Sequence, residues 1–278
     1  MIAPLETQGI SLPRLGLGTF RMQGAACQEA VESALALGYR HIDTAEMYGN
    51  EEAVGAAIAA SGIARGDLHV TTKVWHDHLA PDAIARALDA SLQRLGLDHV
   101  DLYLVHWPAK GMDLPTTLAA LMRSREAGTT RAVGVANFTL SMLNHAIDEI
   151  GAPIACNQVE YHVFLDQTPM LDYLRSKAIP LIAYCPLAQG QAAESEELAR
   201  IGAKHSASAA QIALAWLFGQ EGVVAIPKAG RTVSQRANLE ALSLALDDED
   251  RQVIASLPKR RRLVNPPFAP RWDAPIAE

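Results

Sequence analysis

Apolar residues return along this chain in two alternating rhythms. Short runs are apolar at nearly every position, and longer stretches are apolar at every third or fourth. The short runs predict strands at 15–17, 40–42, 68–72, 100–105, 132–136, 154–157, 180–183 and 223–226. The longer ones predict helices over 26–37, 51–60, 81–95, 115–127, 140–150, 168–176, 208–218, 234–242 and 249–256. Punctuating residues agree with these boundaries. Asn50 reads as an N-cap, Pro81 and Pro115 as first-turn prolines, and Gly38, Gly62, Gly96, Gly128 and Gly151 as helix stops.

Strand followed by helix, repeated eight times, predicts a parallel (β/α)8 TIM barrel. Runs 101–105 and 180–183 are apolar on both faces, as strands covered by helices outside and by core inside must be. The 278 residues carry no Pro/Ser/Gly-rich linker and no low-complexity segment, so residues 1–278 read as one domain. The first 13 residues, with Gly9 among short pieces, suggest a hairpin closing the barrel bottom. The last 20, rich in Pro and Arg and without periodicity, suggest a tail over the barrel.

A formal net charge of −7 argues against a nucleic-acid partner. The one basic run, at 259–262, reads as a solvated tail, with attraction of a substrate carboxylate as the sharper alternative. Three widely spaced cysteines, Cys27, Cys156 and Cys185, point to a reducing compartment. With no signal-peptide pattern and no apolar run near membrane-spanning length, the expectation is a cytoplasmic protein without a membrane partner.

Barrel chemistry gathers at the C-terminal ends of strands. Those ends carry Asp43 and Tyr48, Lys73, His106 and Trp107, Asn137, Gln158, Tyr184 and Lys228. Singly, each has an ordinary structural explanation: an ion pair, a core histidine, a packed tyrosine. Together they place a phenol, an ammonium, a carboxylate and an imidazole on one rim. An ammonium near the phenol is expected to lower its pKa and make Tyr48 a usable proton donor to a carbonyl, with Asp43 holding Lys73 and a neutral His106 orienting the substrate. The set contains no nucleophile beside a base; hydride from a nicotinamide would complete a reduction.

The order and spacing of several motifs resemble the aldo-keto reductases over essentially the whole length. They are Gly16-Leu17-Gly18-Thr19-Phe20, Gly38-Tyr39-Arg40-His41-Ile42-Asp43-Thr44-Ala45 with Tyr48, Thr72-Lys73-Val74-Trp75, Leu104-Val105-His106-Trp107-Pro108, Gly134-Val135-Ala136-Asn137-Phe138, Asn157-Gln158-Val159-Glu160-Tyr161 and Ile226-Pro227-Lys228. The compact length and the ending with Trp272-Asp273 look most like the bacterial 2,5-diketo-D-gluconate reductase branch, which also reduces methylglyoxal. The resemblance implies a catalytic tetrad of Asp43, Tyr48, Lys73 and His106, with Tyr48 the acid. It implies NADPH as cofactor, held by Gly18, Thr19, Phe20, Asp43, Asn137, Gln158, Tyr184, Pro186, Leu187, Lys228, Arg231 and Asn238. Tyr184 would stack on the nicotinamide, Asn137 and Gln158 would take its carboxamide, and Lys228 the 2′-phosphate. Ala136 stands where many members have Ser, and Ala229-Gly230 where a Ser or Thr is common. Ser234 occupies the usual downstream Arg position, with Arg236 two residues on. The preference for NADPH over NADH therefore rests on Lys228 and Arg231.

Phe20, Trp75, His106 and Trp107 are expected to wall a substrate pocket. Short connections at 108–114 and 186–193 predict an open, shallow one, suited to small-molecule carbonyls: aldehydes, α-dicarbonyls or keto-sugar acids. The branch implies a monomer. Two rival readings are a metal-dependent hydrolase barrel using His76 and His78, and a non-catalytic nicotinamide-binding regulator. The first lacks further His and Asp at later strand ends, and an intact tetrad argues against the second.

Overall fold

Strands buried on both faces need a layer on each side, and a closed sheet ringed by helices supplies both. The computed structural model describes residues 2–273 and has this form. It begins with an antiparallel hairpin, β1 (Leu5–Thr7) and β2 (Ile10–Leu12). Gln8 and Gly9, at φ 46° and 83°, make its two-residue turn, the left-handed pair that matches strand twist. Thr7 Oγ1 donates to Ala155 O at 2.9 Å, which pins the hairpin to the barrel bottom.

Eight parallel strands follow in sequence order around the sheet. They are β3 (Leu17–Gly18), β4 (His41–Asp43), β5 (His69–Val74), β6 (Val100–Val105), β7 (Thr130–Ala136), β8 (Ile154–Glu160), β9 (Leu181–Tyr184) and β10 (Val223–Ala225). The ring closes where Leu15 pairs in parallel with Ala225 and the Gly18 N–H donates to Pro227 O at 3.2 Å. The helices are α1 (Gly24–Leu37), α2 (Glu51–Ser61), α3 (Pro81–Leu95), α4 (Leu114–Glu126), α5 (Leu140–Asn144), α6 (Thr168–Ser176), α7 (Glu196–His205), α8 (Ala209–Phe218), α9 (Thr232–Glu240) and α10 (Asp248–Ala255). α5 continues as a π-helical turn, His145–Glu149.

Hairpin residues Ile10 and Leu12 plug the interior beneath Leu102, Leu104, Ala155, Ile182 and Val224. The larger core lies between sheet and helices, with Leu17, Val70, Tyr103, Val135 and Leu181 meeting residues such as Val31, Ile84 and Leu121. A third cluster, around Leu198, Ile212 and Ile254, joins α7, α8 and α10.

The structure corrects two expectations. Asn50 precedes α2 but does not cap it. Its Nδ2 donates to Thr19 O and Met22 O, and its Oδ1 accepts from Thr44 Oγ1, so it ties together the loops after β3 and β4. The connection after β9 is also longer than 186–193. A turn at Ala188–Glu194 leads into α7 before α8 begins, and Ser195 caps α7 by accepting from the Leu198 N–H.

Candidate active site

Asp43 ends β4, Lys73 lies near the end of β5, and His106 follows β6, so parallel pairing aims all three at one mouth. Tyr48 hangs over that mouth from a 3₁₀ turn, Glu46–Tyr48. Lys73 Nζ donates to Asp43 Oδ1 at 2.6 Å and to Thr44 O at 2.7 Å, and reaches Tyr48 Oη at 3.4 Å. Gln158 Nε2 holds the other oxygen of Asp43 at 2.8 Å. Lys73 is fully buried. Burial works against its charge, but Asp43 and Tyr48 overcome it and raise its pKa above the ordinary lysine value.

The Tyr48 phenol departs from expectation. Its ring is half-exposed, yet the surroundings of its hydroxyl are dry. Desolvation raises its pKa more than the pull of Lys73 lowers it. The resting phenol is thus firmly protonated, and the ammonium offsets only part of the burial. Across the mouth, burial and then Lys73 and His76 push His106 well below the ordinary histidine range, so its ring is neutral. The Tyr48 and His106 rings meet edge-on with centroids 5.5 Å apart. His106 Nδ1 is buried without a hydrogen-bond partner among the described residues.

The anticipated pocket residues surround this centre. Phe20 lies 5.0 Å from Tyr48 and is 45% exposed, while Trp75 packs 5.2 Å from His106. Trp107 is nearly buried, because the C-terminal tail covers it. Phe268 sits 5.5 Å from both Trp75 and Trp107, and Trp272 6.0 Å from Trp107. The tail is fastened by Glu160, a fully buried carboxylate that accepts from the Leu263 and Val264 N–H groups at 2.7 and 2.9 Å and pairs with His162 at 3.0 Å. The mouth is therefore less open than the short-loop reading expected, and Phe268 is a wall residue that reading missed. Basic run 259–262 is not simply solvated either. Lys259 Nζ donates to Val163 O and Ile254 O, and Arg262 lies under the Trp272 ring.

The residues expected around a cofactor have these places. Gly18 approaches Ile226 O so closely that a Cβ would sit 2.7 Å from it, and buried Thr19 donates its hydroxyl to Asp43 O. Asn137, at φ 63°, donates to His106 O at 2.9 Å and accepts from the Tyr184 hydroxyl at 2.8 Å. Pro186 and Leu187 lie in a loop where Cys185, Ala188 and Gln189 all hold left-handed φ values near 50°, a concentration of backbone strain typical of ligand-contacting loops. Lys228 and Arg231 are exposed on the loop between β10 and α9, with Arg236 one turn into α9. The Tyr39 phenol donates to Gln235 O at 3.0 Å, and buried Asn238 lies beside it. Gln235, which no sequence motif marks, donates to Ala30 O and Ala229 O and keeps a buried Oε1 without a partner among the described residues. His76 and His78 face Asp77 and Glu46 on the turn after β5, where the His76 ring also packs 4.5 Å from Phe268, with no further metal-binding side chain joining them among the described residues.

The model of the Aldo/keto reductase family matches residues 14–259. The chain belongs to that family. Among its relatives, methylglyoxal reductase DkgB of Escherichia coli O157:H7 is 42% identical over 268 residues, covering 95% of this chain and all of that one. Glyoxal reductase of Bacillus subtilis (strain 168) is 40% identical over 256 residues, 92% of each chain. A crystal structure provisionally named 2,5-diketo-D-gluconic acid reductase B superposes with a TM-score of 0.95 at 41% identity, covering 99% of this chain and 98% of that one. As an aldo-keto reductase barrel, this chain is an oxidoreductase acting on carbonyl compounds.

Proposed function

We propose that the protein is an NADPH-dependent reductase of small aldehydes, α-dicarbonyls and keto-sugar acids, with Tyr48 as the proton donor. The observation that carries this reading is the 3.4 Å contact between Tyr48 Oη and the charged Lys73 Nζ, at the same mouth as the neutral His106. The names of its relatives support methylglyoxal and glyoxal as first substrates to try.

The residues present fit a phosphorylated nicotinamide dinucleotide. Tyr184 presents a ring beside the tetrad, and Asn137 and Gln158, whose NH2 groups hold His106 O and Asp43, keep carbonyl-oxygen lone pairs for a carboxamide N–H. Lys228, Arg231 and Arg236 form an exposed cationic rim fit for a 2′-phosphate. When bound, the cofactor supplies hydride to the carbonyl carbon. The chain's own residues handle the rest. The single N–H of the neutral His106 ring can donate to the carbonyl oxygen. Tyr48 passes its proton to that oxygen, and the phenolate left behind faces the Lys73 ammonium. That attraction exists only once the proton moves, so it stabilises the transition state more than the ground state. Asp43, itself held by Gln158, keeps the ammonium in place, and the aromatic walls exclude water.

We further infer a cytoplasmic monomer. All three cysteines are free, and three of the exposed large apolar side chains, Phe20, Met47 and Phe268, belong to the mouth and its rim. Among the described residues no helix is long and apolar enough to cross a membrane.

The test is consumption of NADPH with methylglyoxal, glyoxal and 2,5-diketogluconate by wild type and by Tyr48→Phe. Tyr48→Phe is expected to fold, to bind NADPH, and to lose about 10²–10⁴-fold in turnover, the usual contribution of a positioned acid. Retained turnover would remove the phenol from the mechanism.

A further inference from the structure

A cavity of about 330 Å³ lies outside the catalytic mouth, between the loops that follow β7 and β8 and the C-terminal tail. Phe138, Val159, Leu165 and Met170 give it an apolar floor, and Arg262 and Trp272 roof it. No tetrad residue lines it. Its size is at the lower end of small-ligand pockets, enough for a single ring or a short chain.

Arg262 distinguishes this cavity from a packing gap. Its side chain is only 20% exposed, yet its guanidinium donates no hydrogen bond among the described residues, and Nη1 is buried without a partner. The nearest carboxylate, Glu160, stands 4.0 Å away with its oxygens already taken by Leu263, Val264 and His162. Trp272 stacks on the guanidinium, with Cζ 3.8 Å from the ring centroid. A largely buried five-donor fork without an acceptor is costly; a carboxylate matches its geometry, and the small apolar cavity suits a carboxylate better than the bulkier, more hydrated phosphate. The acids of the cavity wall have other duties. Asp166 Oδ1 accepts from the Thr168 N–H and hydroxyl, and Asp273 Oδ2 from the Leu140 N–H. Arg260, exposed at the rim, adds a second positive charge.

We propose that this cavity is a second, non-catalytic site for a small organic carboxylate with an apolar body, held by Arg262 beneath the Trp272 ring. Occupancy also reaches the catalytic mouth. Trp272 touches Trp107, and the same tail carries Phe268 onto Trp75. A ligand that fixes the tail fixes the wall of the substrate pocket. This coupling rests on the carbonyl-reductase reading; the binding itself does not.

Isothermal titration with benzoate, and with uncharged benzamide as control, tests the binding in wild type, Tyr48→Phe, Arg262→Gln, Arg262→Lys and Leu140→Trp. The last fills the cavity from a half-buried position, so it reports even if Arg262→Gln misfolds. Benzoate is expected to bind wild type and Tyr48→Phe alike, and about tenfold or more weaker to Arg262→Gln and Leu140→Trp, with Arg262→Lys between. Benzamide is expected to bind at least about tenfold weaker than benzoate. No benzoate binding, or binding lost in Tyr48→Phe and kept in Arg262→Gln and Leu140→Trp, overturns the site. In the kinetic arm, benzoate is expected to change the KM for methylglyoxal in wild type and not in Arg262→Gln. Intact binding with unchanged KM overturns the coupling alone. Intact binding with no methylglyoxal reduction instead counts against the carbonyl-reductase reading and leaves the site standing.

Discussion

Gln158 Nε2 lies 2.8 Å from Asp43 Oδ2, so the carboxylate that holds Lys73 is itself held from across the barrel. The ammonium is buried, and Asp43 is the carboxylate paired with it. Asp43→Asn is therefore expected to strand a buried positive charge, costing about 3–5 kcal/mol in urea unfolding and most of the turnover. Gln158→Leu is expected to cost less stability while lowering kcat, because Lys73 keeps its ion pair and loses only its alignment. Equal losses in both variants would mean that Gln158 is structural.

Lys228 stands exposed on the loop between β10 and α9. Lys228→Ala is expected to raise the KM for NADPH by about tenfold or more, as loss of a charge-assisted contact implies, and to leave that for NADH within about twofold. Steady-state kinetics with both cofactors decide it. Parallel effects would argue against a 2′-phosphate contact.

Burial lowers the pKa of His41 from 6.5 to about 4, and His69 and His106 are pushed down as well. Below pH 6.5 the unfolded chain takes up protons that the folded chain refuses. Stability is thus complete above about pH 6.5 and falls as the pH drops towards 4, by about 3 kcal/mol from His41 alone. Urea midpoints measured between pH 7 and 4.5 should fall steadily. A flat profile would show that these imidazoles do not stay neutral.

Gly55 in α2 meets the backbone of α3, where a Cβ would sit 2.3 Å from Leu95 O. Helix propensity favours Ala over Gly by about 1 kcal/mol. The clash is with a backbone carbonyl that cannot swing aside, so overpacking of about 1–3 kcal/mol decides the sign. Gly55→Ala is expected to lower Tm despite its better helix propensity; a higher Tm would show that the two helices can separate freely.

Glu160 accepts from the two N–H groups that fasten the tail. Glu160→Gln keeps the shape but turns one acceptor into a donor. Hydrogen exchange of amides 260–273 is expected to quicken, and the KM for methylglyoxal to rise more than kcat falls. Unchanged exchange would mean that the aromatic contacts alone hold the tail.

The alternation of strands and helices was legible because burial on both faces leaves a continuous apolar run, as in Val100–Val105, which sequence and structure delimit identically. The grouping of Asp43, Lys73 and His106 was legible because parallel strands carry them to one end whatever the loops do. What escaped notice depends on contacts that local sequence does not encode. Asn50 is a capping residue by type, but its amide is spent on three distant loop groups. α7 shows a thin apolar stripe, Leu198 and Ile201, that makes sense only against α8 and α10. Tyr48 has the ammonium neighbour its sequence suggested, yet the dryness of the site, invisible in the chain, outweighs it. Phe268 lies in an aperiodic stretch, where nothing announces that it closes a pocket.

The segment bearing Phe268 and Trp272 contributes no strand to the ring, yet it finishes the chamber where the reaction would occur. Scaffold and selectivity are thus written in separable stretches of the polypeptide. Exchanging the stretch after α10 would refit the doorway while the eight-stranded frame, with Asp43, Tyr48, Lys73 and His106 at its mouth, stayed as it is.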